Sequence, residues 1–439
     1  MSDNFVRVND TTSRLVPTVV LGGEANALSV ARSLGAHGIK VVAVNYPYEA
    51  VRLSRYVRYV HLENDNSAES WKRFLLGHES DHLRGSVLLA CSDEAISLVT
   101  DNHAALSDKF LLEEGDPTAR RELLDKFAIC QRAEESRIST VRYWPVRSTQ
   151  ELEHCMGDLC FPLVMKPLYS PNADLLKGKA LLSSDQATLR EQFALAKSLQ
   201  VGVLLMEYIP GGDDQLCSYY TYLDEFGNPL VHFTKRLKRR HPLGSGQGTY
   251  HITEWIPEAA ELGLKFFRHM NFRGLGNIEF KRDPRDGKLK IIEVNARFTA
   301  SDCLIAKSGV NLALLTYERL TGQRPSPMLD YEKSLVLCRP VKDALAAWEL
   351  WKAGDLRLSS WFRDLRRINQ FPFFEWRDPM PASFAWRRRA RRLGARLWRV
   401  MKVRKFRSAP AQSASSAPRS VASYGSYPSA QRTPAEGTE

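Results

Sequence analysis

Through the first 110 positions the apolar residues come in short, dense runs. PTVVLG (17–22) and KVVAVN (40–45) read as buried strands, and GEANALSVARSLGAHG between them has helical spacing with glycine at its end. HLRGSVLLACSDEAISLV repeats the theme, with strand SVLLAC and then Ser92 or Asp93 as helix N-cap. Strand, helix, strand predicts an open parallel sheet. The pattern then changes. A charged helix (ARRELLDKFAICQRAEES), a strand pair and a second helix (SDQATLREQFALAKSL) lead into VGVLLMEYIPG (201–211). From 215 to 255 aromatic and polar residues alternate, which predicts antiparallel hairpins with a turn at Glu225–Gly227. GLGNIEFKRDPRDGKLKIIEVNARF (274–298) predicts another. The expected organisation is a flexible 1–16, an α/β domain at 17–115, a two-lobed α+β domain at 116–325, a Trp-rich basic helical segment at 326–407 and a disordered Ser/Ala/Pro tail at 408–439.

Composition narrows this picture. The 439 residues are 44% hydrophobic and 26% charged, which is globular, and no apolar run reaches the roughly 18 residues that span a bilayer. The start lacks an apolar signal core, and seven scattered cysteines do not form a disulfide or zinc pattern, so reduced thiols in the cytoplasm are expected. Residues 341–407 hold 18 Lys+Arg against 6 Asp+Glu, which accounts for the whole net charge of +12. The body is neutral, so a nucleic-acid partner is not expected. Within the basic segment, Trp386, Ala390, Leu393, Leu397 and Val400 share one helical face among arginines. Such a helix at 383–407 is expected to touch an anionic membrane surface, on the inner face, or to pack on the body.

The candidate chemistry sits in the last hairpin. Glu293, Asn295 and Arg297 alternate, so they share one strand face. Two carboxylates and an amide oxygen are the hard donors that Mg²⁺ takes when it also holds phosphate oxygens. Glu279 joins them if DPRDG is a five-residue loop; Arg282 then opposes Lys288, Asn277 opposes Glu293, and Glu279 lies diagonally beside Glu293. A two-residue Asp286-Gly287 turn would separate the two glutamates. Lys166 stands inside an apolar strand, where an anionic partner or a route to water is needed. Lys126 of LLDKF has the spacing of a helix-surface lysine. MEYI (Met206, Glu207, Tyr208, Ile209) ends a strand and leaves its backbone free to read an adenine edge.

In order and spacing these segments resemble the ATP-grasp superfamily of carboxylate–amine ligases, over about residues 17–323. The nearest members are the D-aspartate-ligase-like and carbamoyl-phosphate-synthase-like ones. The resemblance implies an N-terminal open-sheet pre-ATP-grasp domain followed by two α+β lobes that clamp ATP. It implies that Lys126 and Lys166 contact phosphates, that Glu207, Tyr208 and Ile209 form the adenine hinge, and that Glu279, Glu293 and Asn295 hold Mg²⁺, or Mn²⁺ in its place. Arg297 is then the arginine that steadies an acyl-phosphate, with Lys166 beside it in catalysis. The implied reaction activates a small carboxylate with ATP and joins it to an amine. Two departures stand out. The phosphate-covering loop KPLYSPNADLLKGKALL has only Gly178, so Lys179 would supply charge in place of amide donors. The ribose acid is Asp213 or Asp214, with Asp214 taken. One rival, a dinucleotide enzyme, is disfavoured because LGGEANALSVA lacks the G-x-G-x-x-G spacing and Asn45 stands where an acid is needed. The other is a non-catalytic nucleotide sensor, against which the complete Glu279/Glu293/Asn295/Arg297 set argues.

Overall fold

The computed structural model describes residues 15–46, 49–62, 67–176, 180–384 and 387. Among these residues three sheets carry the fold. The first is parallel, in the order β3-β2-β1-β4, from β1 (Thr18–Leu21), β2 (Val41–Val44), β3 (Val57–Val60) and β4 (Val87–Ala90). Strands β1, β2 and β4 are short apolar runs buried on both faces, as helix-covered parallel sheets require, whereas edge strand β3 (VRYV) is only partly covered. The tight turn after β1 uses Gly22 and Gly23 at φ 68° and 84°. A side chain at Gly23 would meet the Cys91 carbonyl at 2.7 Å, so strand end and helix come together only through glycine. Ser92 caps the next helix, Asp93–Asp101, by accepting from the Ala95 amide at 3.1 Å.

The second sheet is small and antiparallel, in the order β5-β8-β6-β7, from β5 (Tyr143–Val146), β6 (Leu163–Pro167), β7 (Leu181–Ser183) and β8 (Val203–Glu207). The third has six strands in the order β13-β12-β9-β10-β11-β14. They are β9 (Leu216–Leu223), β10 (Pro229–His241), β11 (Gln247–Thr253), β12 (Gly274–Arg282), β13 (Leu289–Asn295) and β14 (Val336–Cys338). One face of this large sheet, through Cys217, Tyr219, Ile278 and Phe280, packs on helix Pro257–His269. The other face divides along its strands. Tyr222, Val231, Phe233 and Leu275 are buried in one core with Val20, Leu28, Val87 and Leu89 of the first domain. Further along the same face the residues turn polar: Lys235, Ser218, Glu279 and Glu293. Alternation along each strand assigns the faces; the switch from apolar to polar along one face marks where the first domain stops covering it.

Residues after 323 continue on this body. β14 joins the large sheet, and helices Pro340–Ala353 and Leu358–Leu365 follow. Their buried acids point inward. Asp343 and Asp364 pair with Arg239, and Asp378 pairs with Arg32 of the first domain at 3.0 Å. No helix among the described residues is long and apolar enough to cross a membrane. The basic helix expected at 383–407 and the tail at 408–439 lie almost wholly outside the described residues, as does the N-terminal stretch 1–14, and no finding supports the expected membrane contact.

Candidate active site

The polar half of the large sheet is built by a bulge. β12 and β13 pair Arg282 with Leu289 across a loop at 283–288, one residue longer than expected. Continued unchanged, that register would set Glu279 opposite Ile292 and Glu293 opposite Ile278, with the two glutamates on opposite faces. A register shift intervenes: Phe280 pairs with Ile291, but Glu279 pairs with Glu293 and Asn277 with Asn295. Ile292 is the extra residue, and the bulge re-aims the rest of the strand. The glutamates are therefore direct cross-strand neighbours on one face. This corrects the expected pairing of Asn277 with Glu293, while the shared face stands.

The bulge has a second effect. The carbonyl of Ile292 is released from regular pairing and accepts a hydrogen bond from Lys166 Nζ at 2.9 Å. Lys166 lies in β6 of the small sheet and is 8% exposed, so this bond bridges the two antiparallel sheets. Burial pulls its ammonium below the ordinary lysine value, and Glu293, then Cys130 and Glu279, act against that pull. Asn295 donates its Nδ2 to Asn277 Oδ1 at 3.2 Å, and Asn277 in turn donates to the Tyr219 carbonyl at 3.1 Å. That chain fixes the amide and leaves Asn295 Oδ1 as its acceptor end.

The hinge segment meets the same hairpin. Lys281, on the Glu279 face of β12, donates to the carbonyls of Ile209 at 2.8 Å and Gly211 at 3.0 Å, with Nζ 5.2 Å from the Tyr208 ring centroid. The Ile209 carbonyl is thus engaged, not open as expected. Glu207 is held by Arg285 of the β12–β13 loop at 2.5 Å and by Arg142 at 3.7 Å. Burial would raise its pKa, but Arg285 outweighs it and the carboxyl sits below its usual value. Asp213 pairs with Arg240 at 2.7 Å, whereas Asp214, the expected ribose acid, is exposed. Lys126 opens helix Lys126–Glu135 behind the Asp125 cap, and its Nζ donates to Ser170 Oγ at 2.8 Å, just beyond β6. Lys179 lies outside the described residues.

Arg297 follows β13 and reaches the first domain. Its Nε and Nη2 meet the two oxygens of Asp93 at 2.5 and 3.2 Å, and Nη1 donates to the Phe298 carbonyl at 3.3 Å. Burial opposes its charge; Asp93 restores it and holds the guanidinium ionised. The two residues are 204 positions apart, and nothing in the sequence links them. Lys235 opens the basic run Lys235–Arg240, for which contact with phosphates or an acidic substrate and a solvated strand face are about equally expected. The usable signal was alternation, since Val231 and Phe233 point inward and Lys235 keeps their parity. Its Nζ lies 3.1 Å from Ser218 Oγ and 3.3 Å from His251 Nδ1.

Among the described residues no three His, Cys, Asp or Glu side chains are placed to hold a metal by themselves. Glu279, Glu293 and Asn295 are a partial oxygen set, which fits Mg²⁺ that keeps waters and shares phosphate oxygens and does not fit a closed protein cage.

Residues 256–321 match the family model described as carbamoyl-phosphate synthase L chain, ATP binding domain. The chain is 23% identical over 331 residues to a D-aspartate ligase of Enterococcus faecium, covering 70% of this chain and 77% of that protein. An N5-carboxyaminoimidazole ribonucleotide synthetase in complex with ADP superposes with a TM-score of 0.57 at 13% identity, over 73% of this chain and 81% of that one. The biotin carboxylase domain of Hydrogenobacter thermophilus 2-oxoglutarate carboxylase, with MgADP and bicarbonate, gives 0.57 at 15% identity and covers 74% of both.

Proposed function

We propose that this chain is an ATP-grasp protein that ligates a small carboxylate to an amine at the expense of ATP. The observation that carries the reading is the bulge that sets Glu279 against Glu293 and gives Lys166 its carbonyl partner in the facing sheet. ATP would lie between the two antiparallel sheets, its base at 207–209 and its phosphates toward Lys166 and the glutamates. Glu279, Glu293 and Asn295 would hold Mg²⁺, which when bound neutralises charge on the phosphate oxygens. The substrate carboxylate attacks the γ-phosphorus, the bond to the bridging oxygen breaks, and ADP leaves with the electron pair. The amine nitrogen then attacks the acyl carbon, phosphate leaves with its oxygen, and the amine gives up a proton. Lys166 and Arg297 keep their charge throughout and stabilise oxygens that gain negative charge, with no protein nucleophile required. The ribose is assigned to Asp214, and phosphate cover to Lys179.

ADP release measured over a panel of amino acids and amines, with products identified by mass, tests this. The expected result is Mg²⁺-dependent ADP release together with an amide product. ATP binding with no turnover on any pair would instead mark a nucleotide sensor.

A further inference from the structure

Lys235 is a buried cation whose close partners are all neutral. It is 2% exposed, and around its Nζ stand Ser218 Oγ at 3.1 Å, His251 Nδ1 at 3.3 Å and the Tyr220 ring at 5.6 Å. Among the described residues no carboxylate lies within 4 Å of it. Burying an ammonium without a counter-charge costs several kcal/mol, so the arrangement is one that an arriving anion would relieve. We propose that Lys235, with Ser218 and His251, forms the subsite for the carboxylate of the donor substrate and for the acyl-phosphate made from it. This rests on the ligase reading and goes beyond it by assigning the residues that receive the donor.

Register places the subsite. Lys235 pairs with Ser218, Ser218 with Glu279 and Glu279 with Glu293, so all four stand in one row on one face of the large sheet. Neighbouring strands are about 4.8 Å apart, which puts Lys235 two strands, roughly 10 Å, from Glu279. The hinge and Lys166 touch β12 and β13, at the other end of that row. An anion at Lys235 therefore sits beside the phosphates and away from the adenine, where the second reactant has to be. His251 supplies a neutral acceptor: burial, then Lys235 and Arg339, push its pKa well below the ordinary histidine value. Glu279 and Asp302 act on Lys235 only at longer range, against the burial that lowers its own pKa.

Lys235→Met keeps the length of the side chain and removes the charge; Lys235→Arg keeps the charge. Full-length wild type and both variants are titrated by calorimetry with acetate, glycine, D-aspartate and L-glutamate. Each titration is run with and without Mg²⁺ and a non-hydrolysable ATP analogue, and melting is recorded without ligands. The expected result has three parts. The analogue binds all three proteins within about twofold, and Lys235→Met melts at least as high as wild type. The carboxylate that wild type binds is weakened tenfold or more in Lys235→Met and less in Lys235→Arg. The proposal is overturned if Lys235→Met melts several degrees lower, if it binds the carboxylate as wild type does, if wild type binds no carboxylate, or if only the analogue is weakened, which would assign Lys235 to the γ-phosphate. Failure of wild type to bind the analogue would instead sink the ligase reading, while the titrations without nucleotide still judge the subsite.

Discussion

β10 buries two cations four residues apart, and they are treated in opposite ways. Arg239, 1% exposed, is compensated on every side. Asp343 takes its Nε and Nη2 at 2.9 and 3.1 Å, Asp364 takes Nη1 at 2.6 Å, and Thr249 and Trp361 donate to the remaining capacity of Asp343. Lys235, equally buried, has a hydroxyl and an imidazole. The Arg239 end ties the helices after residue 340 to the sheet, and each of its charges already has an opposite. The Lys235 end lies in the row that leads through Ser218 to the glutamate pair. A buried charge that is complete argues for architecture; one left incomplete argues for a ligand still to arrive.

The largest expected effect breaks the complete end. Arg239→Met should cost about 3–5 kcal/mol, because Asp343 would be left buried without its cation and Asp364 with Lys238 alone. Denaturant unfolding measures it, and a loss under about 1 kcal/mol would contradict the contrast drawn here. At the incomplete end, Glu293→Gln should lower turnover about 10²–10³-fold with stability changed by less than about 1 kcal/mol, since it removes charge that acts during transfer. Steady-state kinetics beside thermal melts separates the two quantities. Arg297→Lys should cost roughly tenfold in turnover with nucleotide affinity unchanged, because lysine keeps the charge but not the fork that meets Asp93. Equal losses in both would move Arg297 to nucleotide binding.

The smallest effect is one of pH. Asp302, beside this site, is pushed up to about 7 by burial. A carboxyl raised on folding keeps its proton where the unfolded chain has released it, so stability falls as pH rises from about 4 through 7. Asp302→Asn should remove that fall, which melting curves of both proteins between pH 4 and 8 would show. Parallel curves would mean that Asp302 is ionised throughout.

Much of this was legible in the chain. Short apolar runs marked the parallel sheet, and alternation marked the hairpins and the shared face of Glu293, Asn295 and Arg297, because side-chain direction follows strand period directly. The shared face of Glu279 and Glu293 was expected from a different register, with the two as diagonal neighbours and not a direct pair. Loop length sets parity, and no local signal announced that Ile292 would bulge to restore it. Arg297 with Asp93 and Arg239 with Asp343 were beyond reach, since each pair is made by docking of elements about a hundred or more residues apart. Lys235 could have been found. Its parity with Phe233, which points into the core, outweighs the basic composition of its neighbours.

The central claim, that the incomplete end activates a carboxylate with ATP, is tested most directly by isotope transfer. With the carboxylate that supports ADP release labelled in both oxygens with ¹⁸O, an acyl-phosphate displaced by an amine must leave one labelled oxygen in each inorganic phosphate released. The account predicts that label by mass spectrometry of the phosphate. Unlabelled phosphate, or label carried into AMP, would contradict it.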